Sequence, residues 1–471
     1  MIATIVVVFQ LLGLLSAVHA VMSVRTPQGS IAWGVSLITF PYVAVPAYWI
    51  LGRNKFQGYV LARQAEIEAI DNVIRNARDH FDPIVGTDHR VASVLTGIEK
   101  LARIPLSDNN SVELLVDGDD TFTSIFEGID AAVNYVLVQF YIVRDDELGR
   151  ALQAHLVSAA ERGVRAYFLY DEVGSIGLPG GYTRQLEDAG VQIRPFHSRQ
   201  GSGNRFQLNF RNHRKTVVAD GHTAWIGGHN IGDEYMSRDI NVGRWRDTHI
   251  RLAGPAVIGA QLAFVEDWRW ASGDVPGNLS WDAEPVLGGG AQALIIASGP
   301  ADPVETASLM YMSAINASTK RIWIASPYFV PDDAIVQSLQ LAALRGVDVR
   351  VLIPEVSDSR LVKLAAYSYF SELKSVGVRF YRYQDGFLHQ KAMLIDDNVA
   401  TVGTANFDNR SFRLNFEITA VVMNPEFADE VEAMFENDFD ASRLMEPAEY
   451  DEKPFWFKLA VRTARLTAPV L

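Results

Sequence analysis

The longest hydrophobic runs lie at the amino terminus of the chain. Ile2 to Val24 and Ile31 to Leu51 carry almost no charge, and each is long enough to cross a bilayer as a helix. The pair predicts a transmembrane hairpin. A cleaved signal peptide is the alternative for the first run, because Val18-His19-Ala20 could mimic a cleavage site. Pro41 and Pro46 fit the second span only if that helix kinks.

Basic residues flank these two runs unequally. Arg53, Lys55 and Arg63 follow the second run, whereas Arg25 is the basic residue of the short turn between the runs. Because positive charge is retained on the cytoplasmic side, this pattern favours a cytoplasmic main body.

The next stretch, Leu61 to Phe81, has helical periodicity. Ile67, Ile70, Ile74 and Ala77 are spaced by three and four residues, which predicts an amphipathic helix that leaves the membrane and packs against the rest of the protein.

Beyond residue 106 the chain repeats itself on either side of a linker rich in Gly, Pro and Asp, Ala271 to Gln292. Before the linker, apolar runs at Val136 to Tyr141 and Tyr167 to Tyr170 flank a helical stretch. After it, Arg321 to Tyr328 and Val349 to Ile353 do the same. Each half therefore predicts a βαβ unit. The fold class expected is α/β, with two tandem mixed sheets flanked by helices, pseudo-twofold symmetry and a shared cleft.

These patterns divide the chain into five predicted parts. They are the transmembrane hairpin (1–60), an amphipathic connector (61–105), the first repeat (106–285), the second repeat (286–450) and a basic amphipathic interfacial helix (451–471).

Two further segments are notable for basic residues. Lys453 to Leu471 has Lys458, Arg462 and Arg465 on one helical face beside several aromatic residues, which favours a helix at a lipid surface over one that only packs on the domain. Ser198 to Arg211, an insertion in the first half, contains three arginines. It could line an entrance for an anionic lipid or form a solvated loop.

Charge and cysteine content restrict the chemistry. The 471 residues hold 42 Lys plus Arg against 56 Asp plus Glu, a net charge of -14, which disfavours nucleic-acid binding driven by overall charge. An anionic ligand must therefore meet a local basic patch. The chain has 0 cysteines, which excludes disulfides, thiolate nucleophiles and cysteine-based metal sites.

One spacing of polar residues occurs in both halves, His-x-Lys-x4-Asp followed by Gly and Asn. It comprises His213, Lys215, Asp220, Gly227 and Asn230, and again His389, Lys391, Asp396, Gly403 and Asn406. Each set predicts a β-hairpin in which His and Lys share one face of a strand. Lys and Asn would bind the non-bridging oxygens of a phosphodiester, and imidazole could attack phosphorus or transfer a proton. The alternative is a strand with a polar end, but one such match arises by chance in about one chain in ten thousand.

This duplicated pattern resembles the signature of the phospholipase D superfamily. Within that superfamily, the membrane hairpin and segments such as Gln139 to Ile142, Gly227 to Tyr235 and Gly403 to Ser411 resemble bacterial cardiolipin synthases with two membrane spans. The similarity extends over nearly the whole chain.

The resemblance implies transfer in two displacements. His213 would form a phosphatidyl-histidine, and His389 would protonate the glycerol leaving group and then activate a second phosphatidylglycerol hydroxyl. The near-symmetry of the motifs leaves the opposite order open. No metal and no cofactor are implied.

Each histidine needs an acceptor for its other ring nitrogen. Asp247 and Glu417 occupy matching places ahead of apolar strands, and we expect Asp247 to orient His213 and Glu417 to orient His389. Asp220 and Asp396 belong to the family's catalytic motif, but we expect them to brace the hairpins.

The remaining eight histidines lack the signature spacing and are expected to be structural or exposed. Among them, His229 merits a test, because it lies inside the first motif between Gly228 and Asn230. The second motif has Ala405 there, which argues against a shared chemical role.

The expected reaction joins two phosphatidylglycerols into cardiolipin at the inner membrane of a bacterium, with phosphatidylglycerol, cardiolipin and the bilayer as partners and no nucleic acid. A phospholipase D or another phosphatidyltransferase, for example one that uses phosphatidylethanolamine, is the alternative on the same fold. A nuclease and a catalytically silent membrane scaffold are further alternatives. The motifs identify neither the second substrate nor the oligomeric state.

Overall fold

The fold was analysed in a computed structural model of the whole chain. It describes residues 2–24, 26–52, 56, 59, 89–197, 209–240, 242–282, 284–446 and 448–471. The predicted connector helix at 61–81 and most of the basic insertion at 198–211 lie outside these residues.

Three apolar helices form the amino-terminal part, α1 (Ile2–Ser23), α2 (Pro27–Thr39) and α3 (Pro41–Leu51). Within the described residues one helix, Thr4–Ser23, is long and apolar enough to cross a membrane by length and composition. α1 packs against α2 and α3, and its His19 and Ser16 hydrogen-bond Tyr48 (2.6 Å) and Trp49 (3.0 Å) of α3.

The second predicted span, which could hold its prolines only with a kink, is divided into α2 and α3. The helix breaks at Phe40, whose ψ of 56° is not helical. The physical reason is Pro41, which lacks an N–H and disfavours the α conformation in the residue before it. Pro46 lies inside α3 without breaking it.

The first repeat follows α4 (His89–Ala102) and contains the predicted βαβ unit. Its elements are β1 (Ser107–Val116), α5 (Asp117–Ala131), β2 (Tyr135–Phe140), α6 (Glu147–Glu161), β3 (Arg165–Asp171), α7 (Gly180–Asp188), β4 (Gln192–Phe196), β5 (Arg211–Asn212), β6 (Thr216–Ala219), β7 (Thr223–Gly227), β8 (Trp245–Arg246), β9 (Thr248–Ala253) and α8 (Val257–Ser272).

The second repeat has the same order with short additions. Its elements are β10 (Ala291–Ser298), α9 (Thr306–Ala317), β11 (Arg321–Ala325), β12 (Phe329–Val330), α10 (Asp333–Leu344), β13 (Asp348–Pro354), α11 (Arg360–Lys374), β14 (Arg379–Tyr383), β15 (Phe387–Leu388), β16 (Ala392–Ile395), β17 (Val399–Gly403), β18 (Phe407–Asp408), α12 (Asn409–Arg413), β19 (Asn415–Met423), α13 (Pro425–Asp440) and β20 (Ser442–Leu444).

The strands of both repeats join into one mixed sheet, which has 16 strands within the described residues. From one edge its order is β20-β14-β13-β11-β16-β17-β19-β10-β1-β9-β7-β6-β2-β3-β4, with β5 attached to β19. β10 and β1 pair antiparallel at the centre, and the order on each side mirrors the other. The predicted pseudo-twofold α/β fold is therefore confirmed, with the two sheets fused rather than separate.

The carboxyl-terminal segment forms α14 (Ala448–Asp451) and α15 (Phe455–Arg465). α15 packs against α11 through the buried side chains of Val461 and Ala464. Phe455 and Trp456 at its start stay 68% and 75% exposed. The helix thus docks on the second repeat and still presents aromatic side chains to the outside.

Candidate active site

Each histidine motif pairs with backbone of the opposite repeat. β5, just before His213, pairs in parallel with the start of β19, and the His213 N–H donates to the Phe416 carbonyl at 2.9 Å. In the same way β15 pairs with β8, and the His389 N–H donates to the Arg246 carbonyl at 2.7 Å. The two motifs are therefore held at the junction between the repeats.

A buried carboxylate holds Nδ1 of each histidine. Nδ1 of His213 lies 2.9 and 3.0 Å from the carboxylate oxygens of Glu417, and Nδ1 of His389 lies 2.6 Å from Oδ2 of Asp247. Both acids are fully buried. A histidine that donates from Nδ1 keeps the lone pair of Nε2 available for attack or proton transfer.

The expected pairing of histidines and acids was wrong, because the partners are exchanged. We expected each histidine to be oriented within its own repeat, but Glu417 orients His213 and Asp247 orients His389. The cause is the crossed strand pairing, which places each histidine beside the carboxylate that comes directly after the paired residues of the opposite repeat.

Lys215 and Lys391 extend along the same strand faces as their histidines. Nζ of Lys215 donates to the His213 carbonyl at 2.6 Å, and Nζ of Lys391 donates to the His389 carbonyl and lies 2.9 Å from His389 Nδ1. Nδ1 of neutral His389 carries one hydrogen and donates it to the Asp247 carboxylate, so it does not also accept from the Lys391 ammonium.

The histidines and lysines of the two motifs form one electrostatic cluster. Burial lowers the pKa of His213 to about 4. The charges of Lys215 and Lys391 contribute to this lowering, whereas Glu417 opposes it. Burial and Lys391 lower the pKa of His389 to about 3, and Lys215 contributes across the repeats. In the unliganded site both imidazoles are therefore neutral at pH 7.

The lysines and carboxylates are shifted as well. Burial lowers the pKa of Lys391 to about 8 and lowers that of Lys215 well below its usual value. Burial opposes ionisation of Asp247, but Lys391 and His389 hold its pKa below the usual range, and His213 does the same for Glu417. The amino groups of Lys215 and Lys391 are the local basic groups that an anionic ligand needs in a protein of net charge -14.

Asp220 and Asp396 lie at the hairpin turns, away from the histidines. The Asp220 carboxylate accepts the backbone N–H groups of Val133, Asn134 and Tyr135 at 2.7–2.8 Å. Asp396 does the same for residues 319–321 of the second repeat. Both aspartates therefore brace the hairpin against the neighbouring strand.

The two motif asparagines differ in how their amides are engaged. Asn230 donates to the Tyr235 hydroxyl at 2.8 Å and accepts from the Ile142 N–H at 3.1 Å. Asn406 is 5% exposed, and its amide oxygen has no hydrogen-bond partner among the described residues. Because an amide oxygen is an acceptor, this unused position suits a hydroxyl group of a ligand rather than a phosphate oxygen.

A cavity of about 890 Å³ lies on a different surface. It lies at the turn end of the first hairpin, and the acidic side chains of Glu113, Asp119, Asp120, Glu127 and Asp220 contribute to its lining. Neither motif histidine lines it, and its charge is unsuited to a phosphodiester.

Comparison with known proteins identifies the family. The profile described as "Cardiolipin synthase, PLD-like domain" matches residues 125–245 and 311–439, one stretch in each repeat. Cardiolipin synthase A of Pseudomonas entomophila is 47% identical over 98% of this chain and 96% of its own length. Its counterpart in Pseudomonas fluorescens SBW25 is 46% identical over 100% of this chain and 98% of its own length.

The chain belongs to the cardiolipin synthase family. The family and the enzyme class expected from the sequence, a phosphatidyltransferase, are therefore confirmed.

A solved structure is similar in fold. The crystal structure of phosphatidylserine synthase from Haemophilus influenzae superimposes with a TM-score of 0.61 at 14% identity, covering 80% of this chain and 100% of that one. The match supports the duplicated fold of this cardiolipin synthase family member and carries nothing about its substrate.

Sequence reasoning missed the buried carboxylates that hold the middle residue of each motif. In the first repeat Asp267 of α8 accepts from Arg214 at 2.8 Å, and in the second Asp438 of α13 accepts from Gln390 at 2.7 Å. Arg214 and Gln390 are the residues between His and Lys in each motif. Their polar character inside a buried strand was the available signal, since such groups need partners.

The aromatic residues around the histidines were also missed. The Tyr141 ring lies 5.0 Å from the His213 ring, and the Trp245 and Tyr235 rings lie 4.9 and 6.1 Å from the His389 ring. Tyr141 and Tyr235 stand in segments that carry the family resemblance, but nothing in their spacing indicates which histidine they contact.

His229 is part of a buried pair of imidazoles. Its Nδ1 lies 3.0 Å from Nδ1 of His249, and its Nε2 has no partner among the described residues. Burial lowers the pKa of both, so they are neutral at pH 7. Ala405 and Thr419 occupy the matching places in the second repeat, so the pair is not a shared device of the two motifs.

Proposed function

We propose that the protein transfers the phosphatidyl group of one phosphatidylglycerol to the primary hydroxyl of a second, forming cardiolipin and releasing glycerol. The observation that carries this proposal is the pair of histidines whose Nδ1 atoms are each held by a buried carboxylate from the opposite repeat. We infer that both Nε2 atoms act at one phosphorus, because the charge of each repeat's lysine also acts on the other repeat's histidine.

In the first step, Nε2 of His213 attacks the phosphorus while the bond to the glycerol oxygen breaks. Lys215 and Lys391 neutralise the non-bridging oxygens, with Asn406 and Asn230 as further amide contacts. His389 gives its Nε2 proton to the leaving glycerol oxygen. The low pKa of His213 suits a nucleophile, and Glu417 stabilises the cationic phosphohistidine.

His389 must be protonated for that step, although burial and Lys391 lower its pKa to about 3. A phosphodiester anion bound beside Lys391 offsets the positive charge that disfavours the imidazolium. Substrate binding therefore raises the pKa of His389 toward the range in which it acts as an acid.

In the second step, neutral His389 takes the proton from the acceptor hydroxyl, whose oxygen attacks the phosphorus. The phosphorus–nitrogen bond breaks, and His213 returns to neutral imidazole. One phosphodiester replaces another, so loss of glycerol from the membrane drives the exchange.

The surroundings of the site support transfer over hydrolysis. His389 lies among the rings of Tyr235, Trp245 and Phe387, and such apolar surroundings favour an alcohol carried by a lipid over water.

Exposed apolar side chains support action at a membrane, and the basic residues that follow the second apolar run favour its cytoplasmic side for the catalytic repeats. Ile176 is 83% exposed, next to Ser175, which donates to the Tyr141 carbonyl beside His213. Phe455 and Trp456 of α15 are exposed as well. With α1 as an anchor, these groups would rest in the headgroup layer.

The deciding experiment incubates labelled phosphatidylglycerol alone with the full-length protein in mixed micelles. We expect labelled cardiolipin and free glycerol, and neither product from His213→Ala. Phosphatidic acid as the sole product would show a phospholipase D instead, and full activity of His213→Ala would overturn the catalytic role of the motif.

A further inference from the structure

One arginine from each repeat flanks the His213 side of the site. Arg211 lies two residues before His213 on β5, and Arg410 lies in α12, four residues after Asn406. Arg410 donates to the side-chain oxygen of Asn209 at 3.2 Å and to its carbonyl at 2.8 Å, which holds the two arginines in one neighbourhood. Burial and the charge of Arg211 lower the pKa of Arg410.

Tyr141 connects this arginine pair to the reacting centre. Its ring is 5.0 Å from the His213 ring, and its hydroxyl interacts with the Arg211 side chain. The pair is therefore one aromatic side chain away from His213.

The hydrogen bonds of the Arg410 guanidinium go to neutral groups. Its guanidinium donates to Asn209 and to the Val470 carbonyl, and within the described residues it forms no ion pair. Asp408 and Glu417 favour the charge of Arg410 through space, but neither carboxylate hydrogen-bonds it among the described residues. The Asn209 side chain, 7% exposed, has an amide nitrogen without a hydrogen-bond partner among the described residues. Two cations and an unused N–H donor suit an oxyanion.

The other repeat has no equivalent. Phe387 stands two residues before His389, where Arg211 stands before His213. Glu234 stands four residues after Asn230 and forms an ion pair with Arg144 at 2.6 Å. The cationic pair is thus not a requirement of the duplicated fold.

We propose that Arg211, Arg410 and the Asn209 amide bind the phosphate of the acceptor phosphatidylglycerol. This inference rests on the proposed function and adds to it a second anion subsite. Cardiolipin holds two phosphates separated by one glycerol. Lys215 and Lys391 serve the reacting phosphate, and the other phosphate needs a counter-charge one glycerol away.

The test compares an anionic acceptor with an uncharged one. Full-length protein in mixed micelles receives labelled phosphatidylglycerol either alone or with excess propane-1,3-diol, a primary alcohol without phosphate. For Arg410→Gln and Arg211→Gln we expect cardiolipin formation to fall about 10- to 100-fold, while transfer to the diol stays within about threefold of wild type. Arg410→Lys should restore part of the cardiolipin activity.

The matched control is Arg144→Gln, which removes an arginine near the corresponding place in the other repeat and should leave the ratio of the two products unchanged. Because the readout is a ratio within one sample, partial unfolding of a variant does not imitate the effect. Equal loss with both acceptors overturns the subsite. Absence of cardiolipin from wild type, with the diol product still formed, refutes the proposed function instead.

Inorganic phosphate distinguishes a lipid phosphate from a free one. Added in the millimolar range, it should weakly inhibit cardiolipin formation by wild type and spare the diol reaction. Inhibition at micromolar concentration that Arg410→Gln abolishes would indicate a site for free phosphate and overturn the proposal.

Discussion

His213 and His389 occupy equivalent positions in the two repeats, but their surroundings differ. His213 faces Tyr141 and the arginine pair, and its partner Glu417 also accepts from Thr404 at 2.6 Å and Asn415 at 3.1 Å. His389 is enclosed by aromatic rings, and Gly228 takes the place of Thr404, because a Cβ there would lie 1.9 Å from Oδ1 of Asp247. A symmetric backbone thus carries an asymmetric site, as two displacements with different leaving groups require.

Replacing each histidine should have the largest effect and should separate their roles. With phosphatidylglycerol, His213→Asn and His389→Asn should each lower kcat by about 10²-fold to 10⁴-fold or more. With a donor whose leaving group is a nitrophenolate, which needs no acid, His389→Asn should still release a burst of nitrophenol and trap label on His213. A burst from His213→Asn and none from His389→Asn would reverse the assignment.

Replacing the carboxylates tests the exchanged pairing. Glu417→Gln should impair the nitrophenol burst as His213→Asn does, and Asp247→Asn should spare the burst as His389→Asn does, each lowering kcat on phosphatidylglycerol about 10²-fold to 10⁴-fold. Double variants should be strongly non-additive for Glu417 with His213 and for Asp247 with His389. Coupling of Asp247 with His213 instead would restore the pairing expected from the sequence.

The pH dependence of activity should report Lys391. Because burial lowers its pKa to about 8, the ammonium that holds the phosphodiester is lost as pH rises through that value. We expect kcat/KM to decline above pH 8 and the decline to move upward in Lys391→Arg, whose guanidinium stays charged. An unchanged alkaline limb in that variant would assign it to another group, such as Lys215.

The pH dependence of stability should report the buried histidines. The pKa of His213 is about 4 in the folded protein against an ordinary value of 6.5, so between these values the unfolded chain binds the extra proton. The free energy of unfolding should therefore fall as pH decreases from 7 to 4, and less steeply in His213→Asn. Equal slopes for both proteins in urea titrations would contradict a buried neutral His213.

The smallest effect on chemistry should come from the hairpin braces. Asp220→Asn and Asp396→Asn keep one acceptor oxygen but weaken the hydrogen bonds to the backbone N–H groups, which should lower the free energy of unfolding by about 1–3 kcal/mol. The kcat of the folded fraction should change little, as checked by thermal unfolding beside activity at low temperature. A large loss of kcat without a loss of stability would mean that these aspartates act on substrate.

Local patterns predicted much of this fold. The strands at Val136 to Tyr141 and Val349 to Ile353 form within one or two residues of the expected positions, because apolar runs with Gly turns specify βαβ units locally. Asp220 and Asp396 brace their hairpins as expected, each at a positive φ of 52° and 51°.

The crossed pairing of histidines and acids could not be predicted in the same way. Glu417 and His213 are 204 residues apart, and their contact depends on β5 pairing with β19, which no periodicity encodes. The fused sheet has the same cause, since whether β1 pairs with β10 depends on how two separately plausible domains meet. Sequence patterns specify the strands and helices of each repeat. The contacts between the repeats depend on how the two folded units meet.

That exchange of carboxylates makes the two repeats obligate partners. A polypeptide cut within the linker would yield fragments that each bear a histidine without its acid and a strand edge without its neighbour. Neither fragment would keep a fraction of the activity, and mixing them should restore it only on reassembly. A defective copy of one repeat could then be complemented by an intact copy of that repeat supplied on a separate chain.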